Sequence, residues 1–162
     1  MKVVVVMGSK SDLPVMEESA AIIKEFNVEC EMRILSAHRC PQEVAAFSTG
    51  ARERGVDIII AGAGMAAHLP GIIAAYTTLP VIGVPIDASS LNGMDALLAM
   101  VQMPPGIPVA TSGIGKAGAR NAGLLAMEIL SVSNKDMADR LSTYRRDMKN
   151  IVLEADRALH HA

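Results

Sequence analysis

The run Val56-Asp57-Ile58-Ile59-Ile60-Ala61, VDIIIA, decides the fold of this chain. It is short, almost continuously apolar, rich in isoleucine, and bounded by Gly55 and Gly62. A strand with one wet face alternates apolar and polar residues, whereas a strand covered on both faces reads as an unbroken apolar run. VDIIIA is therefore predicted to be a strand with helices above and below it. Residues 2–7, KVVVVM, carry the same signature and close on Gly8. Residues 81–85 and 107–111 are shorter strands, and 29–35 is a strand with a weaker pattern.

Helical stretches lie between these runs. Residues 13–26 place apolar side chains at helical spacing, with Asp12 as N-cap and Pro14 in the first turn. Residues 41–54 start at Pro41 and are closed by Gly55; 69–78 start around Pro70; 94–102 and 117–130 follow. Strands alternating with helices specify a single three-layer α/β domain with a central parallel five-stranded sheet. Right-handed crossovers then bring every strand-to-helix loop to the carboxyl edge of the sheet, where ligands bind. Those loops are residues 8–12, 36–41, 62–70 and 86–93, and the polar and glycine-rich segments of the chain fall in them.

Composition bounds the rest. A chain of 162 residues fits one domain with a core of its own. With 2 Phe, 2 Tyr and no Trp, that core is aliphatic, supplemented by 11 Met. A net charge of −2 supplies no basic field for nucleic acid, and so few aromatics build no base-stacking platform. Cys30 and Cys40 form neither a CxxC motif nor a disulfide framework, and two unpaired thiols suit a reducing cytoplasm. No apolar run approaches the roughly 18 residues of a membrane span. The start, MKVVVVMGSKSD, turns polar too soon for a signal peptide.

From residue 134 onward the chain becomes highly charged, with apolar positions at 137, 141, 144, 148, 151, 152 and 155. That spacing predicts an amphipathic helix. The expected division is an α/β catalytic domain over 1–132 and a C-terminal helix over 133–162, packed on its own domain or on a neighbouring subunit. His160 and His161 are adjacent, so they do not share a helical face; they read as a solvated tail rather than metal ligands.

Three loops hold residue types suited to chemistry. MGSKSD, residues 7–12, offers the hydroxyls of Ser9 and Ser11 and the backbone N–H groups of a helix start, which favour an anion. Its spacing is neither GxxxxGK[ST] nor GxGxxG. Asp12 either caps the helix or accepts hydrogen bonds from ribose hydroxyls. SAHRCP, residues 36–41, combines Ser36, His38 and Arg39. The planar fork of arginine matches phosphate oxygens, a serine hydroxyl can donate to the same group, and an imidazole exchanges protons near neutrality. GAGMAAHLPG, residues 62–71, packs Gly62, Gly64 and Ala66 around His68 and Leu69, so that backbone can approach a ligand within a mostly dry pocket. The competing structural readings are a strand-end turn for His38 and a helix cap for His68; the loop positions and neighbours favour chemistry. There is no HExxH, no Cys/His cluster and no carboxylate cluster for a metal.

Taken together, VVMGSKSD, SAHRCP, IIAGAGMAAHLPG, VIGVPI, GMDALLAMVQMPPGIPVAT and IGKAGARNAGLLA resemble the bacterial N5-carboxyaminoimidazole ribonucleotide mutases, in order from about residue 3 to residue 130. The resemblance implies a flavodoxin-like fold, a homo-octamer, and an isomerase of purine biosynthesis. Such an enzyme moves a carboxylate from the exocyclic N5 to ring C4 of an aminoimidazole ribonucleotide, without metal or cofactor. By matching position it implies substrate binding by Ser9, Asp12, Ser36 and Arg39, the last at the phosphate. His38 matches the acid–base residue and His68 the second pocket histidine, near the migrating carboxylate. One position departs: Met65 stands where the family pattern has glycine, and its side chain either points away from the pocket or narrows it. Two other readings stay open, a CO2-using aminoimidazole ribonucleotide carboxylase and a non-catalytic flavodoxin-like nucleotide-binding module.

Overall fold

Every apolar run read as a strand joins one parallel sheet in the computed structural model, which describes residues 1–160. The strands are β1 (Lys2–Met7), β2 (Glu29–Ile34), β3 (Ile58–Gly64), β4 (Val81–Ile86) and β5 (Ala110–Thr111). The helices are α1 (Leu13–Glu25), α2 (Pro41–Thr49), α3 (Leu69–Tyr76), α4 (Met94–Val101), α5 (Gly115–Ser131) and α6 (Lys135–His160). The strand order is β2-β1-β3-β4-β5, the flavodoxin-like order. The chain leaves β1 toward one edge, then returns to place β3 on the other side, so the order reverses between β1 and β3.

The unbroken runs are explained by burial on both faces. Val3, Val4, Val5, Val6, Ile59 and Ile60 are all fully buried. Alternate residues point to opposite faces of the sheet. Val4, Val6, Ile59 and Ala61 pack with Val44 and Phe47 of α2, Ile73 of α3 and Met100 of α4. Against the opposite face lies α1, whose Met16 sits over Gly62. Alongside it runs α5, joined by a hydrogen bond from the Ser19 hydroxyl to the Ala119 carbonyl at 2.6 Å.

The boundaries differ from the sequence reading in instructive ways. β3 begins at Ile58 and continues through Gly64, because residues 62–64 pair with Val84, Pro85 and Ile86 of β4. The glycine-rich segment is thus partly strand, and its loop starts at Met65. β5 shrinks to two residues, paired with Ile82 and Gly83; Pro108 just before it has no N–H for a longer ladder. α2 stops at Thr49, and turns lead to Gly55, whose φ of 73° reverses the chain into β3.

The chain divides into two compact units, residues 1–126 and the portion from Met127 onward. The second contains the expected amphipathic helix. Its start is fixed by the Asn134 side chain, which accepts the Met137 N–H at 3.0 Å, and Arg145 pairs with Glu128. Met137 and Leu141 are buried, whereas Met148, Ile151, Val152 and Leu159 are exposed. His160 bonds the Asp156 carbonyl within its own helix. The reading of His161 lies outside the described residues. Among the described residues no helix is long and apolar enough to cross a membrane.

Candidate active site

The three chemistry-bearing loops leave the carboxyl ends of β1, β2 and β3, which are neighbours in the sheet. They converge on one cavity of about 560 Å³ beside the point where strand order reverses, a volume suited to a small ligand. Ser9, Ser11, Asp12, Ser36, His38, Arg39, Gly64, Ala66, His68 and Leu69 all line it.

The loop after β1 is built by its own polar groups. A short 3-10 turn over Lys10–Asp12 starts at Ser9, whose hydroxyl accepts the Ser11 N–H at 3.3 Å. The Asp12 carboxylate reaches back to accept the Ser9 N–H at 2.9 Å, closing a reciprocal capping box. The expected Asp12 cap on α1 does not form: Asp12 has helical φ and ψ and makes no capping bond to that helix. Its side chain faces the cavity instead. Burial pushes the Asp12 carboxyl up from its ordinary value; bonds from Ser9 and Ser11 and the Arg39 guanidinium oppose that shift.

The loop after β2 is a tight turn, with the Cys40 N–H bonded to the Ser36 carbonyl at 2.9 Å. The Cys40 thiol joins the same clasp, accepting the Ser36 N–H at 3.1 Å. Arg39 is held from both sides: it donates to the Gly8 carbonyl at 2.7 Å and to the Ser36 hydroxyl at 3.2 Å. These two anchors aim the guanidinium across the mouth of the β1 loop, where its remaining N–H groups can meet an anion.

The loop after β3 brings the second histidine to the first. His38 Nε2 and His68 Nδ1 lie 2.8 Å apart, with the rings edge-on at 75°. One of these nitrogens must donate and the other accept. The bond survives with one ring protonated and the other neutral, and is lost if both are charged. The pair can therefore hold and release a single proton without leaving this geometry.

Gly62 is the one expected site position outside the lining. A Cβ there would lie 2.2 Å from Met16 Sδ, so glycine serves helix–strand packing. Gly64 does border the cavity, and a Cβ on it would meet Ala88 Cβ at 2.6 Å. Gly8 and Ala63, from the segments MGSKSD and GAGMAAHLPG, also line the cavity, as do Ala37 and Ala88; small and apolar, the last two carried no sequence signal beyond their place at the strand ends. Met65 has φ 55°, the left-handed region that suits glycine, yet it borders the cavity and is 59% exposed. Among the described residues no group of three or more His, Cys, Asp or Glu could hold a metal ion.

Comparison with known proteins places the chain in a family. A family model described as AIR carboxylase matches residues 2–151. That match carries the likeness past residue 130 into α6. The chain is 57% identical over 148 residues to the N5-carboxyaminoimidazole ribonucleotide mutase of Pyrococcus abyssi, covering 91% of this chain and 84% of that protein. It is 55% identical over 151 residues to the mutase of the same name from Bacillus subtilis, covering 93% of each. Among solved structures it is similar to PurE of Treponema denticola, with a TM-score of 0.86, 29% identity and 98% of each chain covered.

Proposed function

The chain belongs to the AIR carboxylase family, and from that membership we propose that it is an N5-carboxyaminoimidazole ribonucleotide mutase of purine biosynthesis. The observation that supports this chemistry most directly is the His38–His68 bond of 2.8 Å inside a cavity that also holds Arg39 and Asp12. Arg39, with Ser36, holds the phosphate. Ser9, Ser11 and Asp12 hold the ribose. Those contacts are remote from the reacting atoms and fix the ring in place.

The substrate is a carbamate. His38 gives a proton to its nitrogen; the C–N bond breaks, its electron pair stays on nitrogen, and CO2 leaves. The ring that remains is enamine-like, and C4 attacks the carbon of CO2. His38, now neutral, removes the C4 proton and aromaticity returns, so one imidazole ends as it began. His68 lies beside the migrating carboxylate and keeps the pair's proton in register. Small residues at positions 63, 64, 66 and 88 border the cavity and leave room for the released CO2, and the bound substrate displaces water there.

The enzyme works as a homo-octamer in the cytoplasm, with α6 as part of the contact between copies. Support for that contact comes from its exposed apolar residues Met148, Ile151 and Val152, and the octamer is what the sequence resemblance implies.

The test offers two substrates separately to the purified protein. The expected result is conversion of N5-carboxyaminoimidazole ribonucleotide to the C4-carboxylated product with no added ATP or bicarbonate. Efficient product formation from aminoimidazole ribonucleotide and CO2, with no turnover of the N5-carboxylated compound, would establish a carboxylase instead.

A further inference from the structure

Met65 combines two features that each oppose folding. Its φ of 55° crowds a side chain against the following carbonyl, and its large apolar side chain is 59% exposed. Among the described residues, the other two non-glycine residues with such a backbone are Asn27 and Asn92, the type that tolerates it and suits water. Glycine would satisfy the backbone at Met65, and asparagine would satisfy both backbone and solvent. Strain retained at the rim of a site points to a function there.

The cavity lining shows what that function needs. Its other apolar side chains are Ala37, Ala63, Ala66 and Ala88, which are short, and Leu69, which is only 2% exposed. Among the described residues, Met65 is the one long, flexible, exposed apolar side chain bordering the cavity, three residues before His68. A thioether chain adapts its shape to what lies beneath it.

We propose that Met65 is a specificity-determining cap: its side chain covers the bound aminoimidazole ring, keeping CO2 against C4 and water away. This rests on the carboxyl-transfer reading given above. After the C–N bond breaks, the nitrogen already carries its proton, and CO2 has two fates. It bonds to C4, or it escapes and leaves decarboxylated aminoimidazole ribonucleotide. The ratio of decarboxylated to C4-carboxylated product therefore reports the cap.

Parent protein, M65G and M65L are each given N5-carboxyaminoimidazole ribonucleotide, the products are separated by chromatography, and spontaneous decarboxylation is subtracted. M65G should raise the ratio several-fold while melting at or above the parent temperature, because glycine fits this backbone. M65L, which keeps an apolar side chain, should hold the ratio near the parent's. A merely structural Met65 would move the melting temperature and leave the ratio alone. The cap is overturned if M65G partitions like the parent, or if M65L leaks as much as M65G. A parent that fails to convert the N5-carboxylated substrate would sink the mutase reading and the cap together; a converting parent with an unchanged M65G ratio sinks the cap alone.

Discussion

His38 and Asp12 share one cavity, yet their environments give them different work. His38 is exposed, bonded through Nε2 to His68, and placed to trade a proton with a ligand. His38→Asn should fold and bind ribonucleotide, while turnover falls by about 10²–10⁴-fold, the usual loss for a general acid–base. Near-parent turnover in the folded variant would remove His38 from the chemistry. Asp12 is 6% exposed, and burial holds its carboxyl above the ordinary 3.8. The folded protein thus binds that proton more tightly than the unfolded chain. Stability from this group is present below pH 3.8 and declines as pH rises through the folded value. Asp12→Asn should flatten that part of the stability profile, melt at or above the parent temperature at neutral pH, and bind ribonucleotide more weakly. Thermal scans from pH 4 to 8 with ligand titration check it; an unchanged slope would refute the argument.

At the scale of elements, glycines set how closely a helix approaches a neighbouring strand or loop. A Cβ on Gly118 of α5 would lie 1.6 Å from the Gly113 carbonyl oxygen, backbone that cannot step aside. On Gly62 it would strike Met16, whose side chain is fully buried but can rearrange. Gly118→Ala should therefore destabilise by about 3 kcal/mol or prevent folding, and Gly62→Ala by about 1–3 kcal/mol, with the cavity's ligand contacts retained. Denaturant unfolding gives the order, and a milder effect at Gly118 than at Gly62 would contradict it. The motif IGKAGARNAGLLA carried family likeness but no role in the sequence; the close approach at Gly118 supplies one.

Assembly belongs to the scale of the whole molecule. Ile151 and Val152 of α6 are each 67% exposed, an unfavourable state for a β-branched pair in water. If α6 lies between copies, Ile151→Glu with Val152→Glu should shift the protein to smaller species in sedimentation velocity while each chain keeps its helical content. An unchanged sedimentation coefficient would free α6 from that role.

The sequence alone determined the layers and the edge where chemistry sits. Runs such as KVVVVM and VDIIIA announce burial on both faces, and chain chirality sends their loops to one side. Both are local or universal rules, so no partner need be known. Tertiary structure decided the rest, because strand pairing is non-local and any order of parallel strands would satisfy the same apolar runs. The order β2-β1-β3 makes neighbours of the loops bearing Asp12, His38 and His68. Only packing separates Gly62, lying against Met16, from Gly64 at the cavity. The 2.8 Å contact between two imidazoles thirty residues apart forms where the loops after β2 and β3 reach toward each other over the end of β1, an arrangement no local spacing encodes.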